Sequence, residues 1–157
     1  MSRLFIVICL FFCNFLFSQS FNNLVEEADF LSKNKEYYSS IYLYKKALNK
    51  KPNNIKLIYK YAEVLRKTYN YKESLKYYNK VYEINENYLY VKLWMGVLYK
   101  NLSQHDLSVK LLNEFIGYKN LNDTLYSKAL IEIQSNQFIL KSKKDSLMSE
   151  YFSILPW

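Results

Sequence analysis

The sequence predicts an all-α fold in which pairs of antiparallel helices repeat along the chain. One set of small residues and one set of serines each recur every 34 residues. The small residues are Ala28, Ala62 and Gly96, and the serines are Ser40, Ser74 and Ser108. Only two glycines and two prolines occur among 157 residues, which favours helices joined by short turns over sheets. A fixed period of this length is typical of an α-solenoid, in which each repeat is one helical pair.

The first 18 residues predict a secretory signal peptide. Arg3 supplies a positive charge, an apolar run follows from Leu4 to Phe17 with only Asn14 inside it, and Ser18 begins a small polar stretch. This order is that of a signal peptide, and the run is short for a membrane span of roughly 20 residues. We therefore expect cleavage after Ser18 and export of the chain. An uncleaved membrane anchor is the alternative.

Both cysteines, Cys9 and Cys13, lie inside this segment. Phe11 and Phe12 stand before Cys13, where a lipidation site needs a small residue, so we do not expect a lipoprotein. The cleaved chain would contain no disulfide and no thiolate metal site. Its stability would then come from packing.

The positive charge is concentrated in the first two repeats. The chain carries a net charge of +8, and residues 21–80 contain 13 Lys and Arg against 6 Asp and Glu, whereas residues 81–157 contain 8 of each. Such an excess attracts an acidic partner, an anionic lipid surface or peptidoglycan, and a solvated lysine face is the alternative. Because the chain is expected to be exported, we expect no nucleic-acid partner.

The repeat period divides the chain into a domain over residues 19–141 and a tail. The predicted parts are unit one (21–54), unit two (55–88), unit three (89–122), a capping helix (123–141) and an irregular tail (142–157). The alternative for residues 123–141 is the first helix of an incomplete fourth unit. Helices are expected at about 22–34, 37–50, 54–68, 71–84, 88–102, 105–118 and 123–141 from apolar residues at helical spacing. The last helix should cover the apolar end of the array with a face that includes Ala129, Ile133 and Phe138.

The small residue and the serine of each unit should face each other where its two helices cross. A small side chain on the first helix permits a close approach. A serine is nearly as small, and we expect its hydroxyl to bond to the backbone of its own helix one turn earlier.

The unit pattern resembles the tetratricopeptide repeat, whose spacing places a small residue, aromatic residues and an alanine at fixed offsets. Unit two carries it in Ile58, Tyr61, Ala62, Leu65, Ser74, Tyr78 and Val81. Glu27, Lys92 and the missing prolines of units two and three depart from the pattern. The resemblance covers about 100 residues. It implies a right-handed α-solenoid of about three repeats and a scaffold that binds a protein or peptide.

The same resemblance implies which residues contact a partner, because the first helices of such repeats line the concave side of the array. The implied groove positions are Glu26, Asp29 and Lys33 in unit one, Tyr59, Lys60, Glu63, Arg66 and Lys67 in unit two, and Tyr90, Trp94, Val97 and Lys100 in unit three. Tyr, Trp and Arg often dominate interfaces. We expect Trp94 to be the main anchor and Arg66 to be available to a carboxylate, with ordinary packing between repeats as the alternative for Trp94. A peptide-carboxylate clamp is not expected, since Lys60 and Glu63 stand where it needs asparagines.

A second resemblance concerns the end of the repeat region. Residues 128–135, followed by Ser149, Glu150 and Tyr151, are similar to a junction in Gram-negative envelope proteins. There an exported tetratricopeptide region leads into a β-propeller and an OmpA-like peptidoglycan-binding domain. This resemblance implies a place in the periplasm or at the outer-membrane periphery, with an envelope protein as partner. The chain would match only the N-terminal region of such proteins.

The sequence shows no set of residues suited to catalysis. The single histidine, His105, occupies the repeat position filled by Tyr37 and Tyr71. No Gly-x-Ser-x-Gly motif occurs, and Gly96 and Gly117 cannot form a phosphate-binding loop. We therefore expect no enzyme, no cofactor and no metal site. The sequence favours an exported interaction scaffold, and the alternative is an envelope protein that binds peptidoglycan or an anionic surface through its basic first two repeats.

Overall fold

A computed structural model describes residues 21–88, 90–117 and 123–153, and these residues form seven α-helices. The helices are α1 (21–33), α2 (Tyr37–Lys50), α3 (Ile55–Lys67), α4 (Tyr71–Ile84), α5 (Val91–Asn101), α6 (His105–Ile116) and α7 (Asp123–Ser153). The predicted helices α1 to α6 are confirmed to within three residues at each end. The predicted signal peptide lies outside the described residues. Within the described part, no helix has the apolar run that a membrane crossing requires.

Helix α7 is longer than the sequence pattern predicts. It continues through Ser153, so the prediction of an irregular tail is wrong for residues 142–153, and residues 154–157 lie outside the described part. Residues 141–150 are all exposed, so no apolar stripe marks them as helical. Extending an existing helix needs no new nucleus, and neither glycine nor proline interrupts residues 123–153.

The helical pairs are joined by the same hydrogen bond in all three repeats. In each, the serine hydroxyl on the second helix donates to the backbone carbonyl of the small residue on the first. The bonds are Ser40 to Ala28 (2.9 Å), Ser74 to Ala62 (2.9 Å) and Ser108 to Gly96 (2.7 Å). The prediction that these serines bond to their own helix is therefore wrong. The small residue brings the two helices so close that the neighbouring carbonyl is within reach.

The turns within the repeats also share one geometry. Lys35, Tyr69 and Ser103 have positive φ angles of 66°, 61° and 61°, and they too lie 34 residues apart. The amide of each following residue donates back to the first helix, from Glu36 to Leu31 (2.9 Å), Asn70 to Leu65 (3.0 Å) and Gln104 to Tyr99 (2.8 Å). This is a left-handed helix cap made without glycine, which costs roughly 1 kcal/mol at each turn.

The chain divides between Tyr77 and Tyr78 into two compact halves, each with its own core. In the N-terminal half, α2 packs on α3, and the core includes Tyr44, Ala47, Leu57 and Tyr61. In the C-terminal half, α6 packs on both α5 and α7. The core of that half consists of Leu93, Leu112, Phe115, Ala129 and Ile133.

Candidate functional site

A cavity in the N-terminal half lies between α1 and the start of α3. Its volume is about 240 Å³. It has apolar and charged walls, formed by Phe21, Asn22, Val25, Glu26, Asp29, Asn54, Lys56, Leu57 and Lys60. The side chain of Asn54 also caps α3, because its oxygen accepts from the amide of Leu57 at 3.1 Å. This cavity, the α1–α3 pocket, could hold an apolar side chain next to charged groups.

The charges beside the α1–α3 pocket form a bridge between three helices. Asp29 on α1 accepts from the ammonium of Lys60 on α3 and from the hydroxyl of Tyr44 on α2. Tyr44 is buried, and its burial, with Asp29 beside it, raises the pKa of its phenol well above the usual range. The phenol therefore stays neutral and donates to Asp29. The bridge fixes Lys60 at the edge of the pocket.

The other predicted residues of α3 lie outside that pocket. Tyr59 is only 9% exposed, which leaves little of its ring for a partner. Arg66 is bound to Glu63 through two hydrogen bonds, at 2.8 Å from Nη2 and 3.4 Å from Nε. The Lys67 ammonium lies 5.3 Å from the centre of the Tyr37 ring. A carboxylate ligand would therefore compete with Glu63 for Arg66.

The predicted residues of α5, and Tyr90 immediately before that helix, lie in the C-terminal half. Tyr90 is 41% exposed, and its ring meets Phe115 edge-on at 6.4 Å between ring centres. Trp94 is partly buried against the core of that half, with the ammonium of Lys128 at 5.7 Å from its ring. Lys100 pairs with Glu132 of α7 at 2.8 Å. Trp94 is thus packed on the core but not fully buried, and Lys100 already has a carboxylate partner.

Sequence reasoning missed most of the α1–α3 pocket. Of the twelve groove positions that the resemblance implies, only Glu26, Asp29 and Lys60 line it. Phe21, Val25 and Lys56 were not identified. Phe21 and Val25 lie near the start of α1, and Lys56 lies at the start of α3, which is the first helix of the next repeat. These equivalent positions in neighbouring repeats could have suggested that the side chains meet.

The single histidine belongs to a buried hydrogen-bond network in the C-terminal half. His105 Nδ1 lies 2.8 Å from Asn136 Oδ1, and the Asn136 amide nitrogen donates to Ser108 Oγ at 2.9 Å and to the Glu132 carbonyl at 2.7 Å. Because Asn136 Oδ1 can only accept, His105 Nδ1 carries a proton. The network ties α7 to α6. In the described residues, no three His, Cys, Asp or Glu side chains form a group suited to a metal ion.

Lys92, which departs from the repeat pattern, is buried at 7% exposure. Its ammonium lies 3.2 Å from Glu114 of α6 and 3.6 Å from Glu86, which follows α4. Its charge is thus balanced inside the C-terminal half, since a buried charge without such partners would be costly. It is a structural residue and not a site for a ligand.

Comparison with known proteins gives a likeness in structure only. No family model and no curated protein matches the sequence. Among solved structures, the chain is similar to the first TPR domain of Spaghetti (RPAP3) bound to the HSP90 peptide SRMEEVD. The TM-score is 0.68 and the sequence identity is 18%, and the match covers 79% of this chain and 95% of that one. It is also similar to the Sgt2 TPR domain from Aspergillus fumigatus, with a TM-score of 0.65 and 13% identity over 80% and 82% of the chains.

A third similar structure is the MamA protein, with a TM-score of 0.69 and 14% identity over 78% of this chain and 65% of that one. Identities this low carry the fold and nothing finer. Together with the helical pairs that repeat every 34 residues, these likenesses lead to one conclusion. The chain has the all-α fold of tetratricopeptide-repeat domains.

Proposed function

We propose that the chain is an exported interaction scaffold of the tetratricopeptide-repeat family that binds a protein or peptide of the cell envelope. The observation that carries this proposal is the likeness, over 79% of the chain, to a TPR domain solved with a peptide bound. The second TPR domain of human RPAP3, solved with an HSP70 peptide, is similar too, at a TM-score of 0.65. Two domains of similar fold were thus solved with peptides bound, which supports peptide binding by this chain, and we propose no enzymatic activity for it.

The α1–α3 pocket is the proposed contact in the N-terminal half. Its apolar wall would take a side chain of the partner, and Lys56 lies at its edge for a carboxylate. In the C-terminal half, the proposed contacts are Trp94 on α5 and Tyr90, which immediately precedes that helix. The remaining proposed contact positions are Tyr59, Lys60, Glu63, Arg66, Lys67 and Lys100.

The α1–α3 pocket is tested by filling it. Peptides selected by display against the folded chain would be titrated calorimetrically into Asn22→Trp and Asn23→Trp. Both asparagines are exposed on α1, but only Asn22 lines the pocket. We expect Asn22→Trp to weaken binding at least tenfold and Asn23→Trp to leave it unchanged. Equal affinities of the two variants would exclude the pocket as the site.

The α5 contact is tested with Trp94→Ala. Loss of a large aromatic anchor typically costs about 2 kcal/mol or more of binding free energy, roughly a 30-fold loss of affinity. A variant that remains folded by circular dichroism and binds selected peptides as the wild type does would remove Trp94 from the site.

The alternative function is binding of peptidoglycan or another anionic surface through the basic first two repeats. The charge difference between residues 21–80 and 81–157 supports it. Ionic strength separates the two functions. Contacts between exposed charges weaken steeply from low to moderate salt, whereas an apolar contact at Trp94 or Val25 does not.

Export to the envelope is the part of the proposal that rests on residues 1–18 and on the resemblance to OmpA-family envelope proteins. Expression in a Gram-negative host, followed by fractionation, would test it. Recovery of the chain in the periplasm or outer-membrane fraction, with Gln19 as its first residue, would support export. Recovery only in the cytoplasm, with Met1 retained, would contradict it.

A further inference from the structure

The exposed side of α2 combines aromatic and cationic side chains. Tyr38 is 79% exposed and Tyr42 is 58% exposed, and Lys45 and Lys46 are exposed as well. These four residues, the α2 face, lie on one side of the helix because each lysine follows a tyrosine by three, four, seven or eight positions, and Tyr42 follows Tyr38 by four. Lys46 Nζ stands 4.4 Å from the centre of the Tyr42 ring. Helix α2 contains no Asp or Glu in its 14 residues, so no carboxylate of the helix offsets the charge.

The other repeats show that the fold does not require this chemistry. The positions one repeat after Tyr38, Tyr42 and Lys46 are Lys72, Lys76 and Lys80, and the positions two repeats after are Asp106, Lys110 and Glu114. The three lysines are exposed, whereas Glu114 is used to balance the buried Lys92. The same scaffold positions are therefore cationic or aromatic in the first two repeats and nearly neutral in the third. Packing cannot account for that difference.

The α2 face is a helix side and not a cavity. None of its residues lines the α1–α3 pocket or the cavity beside His105. Within the described residues, no salt bridge involves Lys45 or Lys46. A broad anionic surface fits such a face better than a small ligand does, because it offers many charges without needing a concave site.

We infer that the α2 face docks the protein on an anionic phospholipid bilayer. Tyrosine rings prefer the headgroup region, where the phenol stays hydrated while the ring contacts the acyl chains. Lysines near an anionic surface each strengthen binding by a factor of about five at moderate salt. Lys72 and Lys76 add positive charge in the same half of the chain. This contact goes beyond peptide binding and uses different residues from the α1–α3 pocket.

Vesicle sedimentation of the full chain tests the inference. The vesicles would be phosphatidylcholine alone or phosphatidylcholine with about one quarter phosphatidylglycerol, so that only the second carries surface charge. Any contribution of residues 1–18 is common to all variants. We expect the wild type to bind the anionic vesicles more tightly than the neutral ones. On the anionic vesicles we expect at least a 25-fold loss for K45E/K46E, from a factor of about five for each lysine.

A control variant separates the α2 face from net charge. The substitutions K110E/K141E change the net charge by the same amount at two exposed lysines of the C-terminal half. We expect this variant to bind anionic vesicles within about a factor of two of the wild type. The milder K45Q/K46Q serves if K45E/K46E does not fold. The inference would be overturned if K45E/K46E and K110E/K141E lost the same affinity for anionic vesicles. It would also be overturned if the wild type bound the neutral and the anionic vesicles equally well.

Two further measurements complete the test. Y38S/Y42S should weaken vesicle binding while leaving its salt dependence unchanged, since the rings contribute apolar contact and not charge. Binding to purified peptidoglycan sacculi should be the same for the wild type and K45E/K46E. If K45E/K46E lost binding to sacculi but not to anionic vesicles, the inference would also be overturned. Affinity for a selected peptide should be the same in K45E/K46E and the wild type, so failure of the vesicle contact can be told from failure of the proposed scaffold function.

Discussion

Ser39 and Ser40 are neighbours on α2, but only the hydroxyl of Ser40 joins two helices. Ser40 is fully buried and donates to Ala28, whereas Ser39 is exposed. Both serines are in a helix, where alanine has the higher propensity, so comparing the two alanine variants cancels that effect. We expect Ser40→Ala to be less stable than Ser39→Ala by about 1 kcal/mol, the usual contribution of one hydrogen bond. Urea unfolding would measure it, and equal stabilities would show that the bond contributes nothing.

Gly96 is the position in the third repeat at which even a methyl group does not fit. A Cβ atom there would lie 2.7 Å from Leu112 Cγ and 2.9 Å from its Cδ2. In the first two repeats an alanine is accommodated at the equivalent position. We expect Gly96→Ala to destabilise the fold by about 1–3 kcal/mol in thermal or urea unfolding, despite the better helix propensity of alanine.

Gly117 provides the control for Gly96. Its added Cβ would meet nothing closer than a backbone oxygen at 3.4 Å, and its φ of −72° suits alanine. Gly117→Ala should change the stability by no more than about 0.5 kcal/mol. If Gly96→Ala proved as harmless as this, the close contact with Leu112 would not limit the residue at position 96.

Tyr61 makes the stability depend on alkaline pH. It is 1% exposed, and burial, with Glu73 and Tyr77 nearby, raises its pKa from 10.0 to about 12. The folded chain thus holds this proton more tightly than the unfolded chain does. The resulting stabilisation is complete below pH 10 and is lost as the pH rises from about 10 to about 12.

Replacing the phenol isolates this contribution. Urea unfolding over that pH interval should show a smaller loss of stability in Tyr61→Phe than in the wild type. Tyr69→Phe, at a position that is 78% exposed, should decline as the wild type does. Parallel declines in all three proteins would contradict the assignment to Tyr61.

At the scale of elements, α7 packs a polar residue, Asn136, on the face where the sequence predicted the aromatic Phe138. Phe138 was predicted on the packed face of α7, but it is 74% exposed, while Asn136 is fully buried. At 100° for each residue, Asn136 falls on the stripe of Ala129 and Ile133, and Phe138 falls on the opposite side. The prediction followed hydrophobicity, whereas the helix geometry selected position 136.

Asn136 should therefore be the residue that attaches α7 most strongly to α6. Asn136→Ala would leave the buried His105 N–H without its acceptor, whereas the Ser108 hydroxyl would keep its bond to the Gly96 carbonyl. We expect a loss of about 1–3 kcal/mol, the cost of an unsatisfied buried polar group. Gln137→Ala, at an exposed position of the same helix, is the control. Equal unfolding curves of the two variants would mean that the network does not hold α7.

At the scale of the whole molecule, export determines whether the chain contains any thiol. The only cysteines, Cys9 and Cys13, precede the predicted cleavage after Ser18. The exported protein should therefore gain no mass when treated with an alkylating reagent under denaturing conditions, and its unfolding midpoint should be the same with and without a reducing agent. Alkylation of two thiols in protein recovered from the envelope fraction would show that the segment is retained.

The distribution of charge between the repeats also belongs to this scale. Folding alone would allow any polar residue on the exposed sides of the second helices. The excess of positive charge nevertheless lies in residues 21–80. The α1–α3 pocket and the α2 face both belong to that half. A peptide contact and a membrane contact could then be made by the same half of the chain, through different helices.

Much of the fold could be read from the sequence because its period of 34 records a physical requirement that recurs in every helical pair. A close crossing needs a small residue on each helix of the pair, and Ala62 with Ser74 shows such a pair in the sequence alone. The first six helices followed from the same pattern. The exposed end of α7 did not, since apolar spacing reports burial and a solvated helix has none.

The candidate site was much less predictable. Local pattern placed Lys60 and Trp94 on first helices, but it could not show that Asp29 binds Lys60, that Glu63 occupies Arg66, or that Phe21 and Lys56 share a pocket. Those facts depend on which side chains meet across helices that are distant in the chain. The sequence determined the repeating helical pairs and the concentration of positive charge, because both follow from residue types at fixed positions. Only the tertiary structure decided which charges are already paired and which surfaces remain for a partner, because pairing depends on distances between helices.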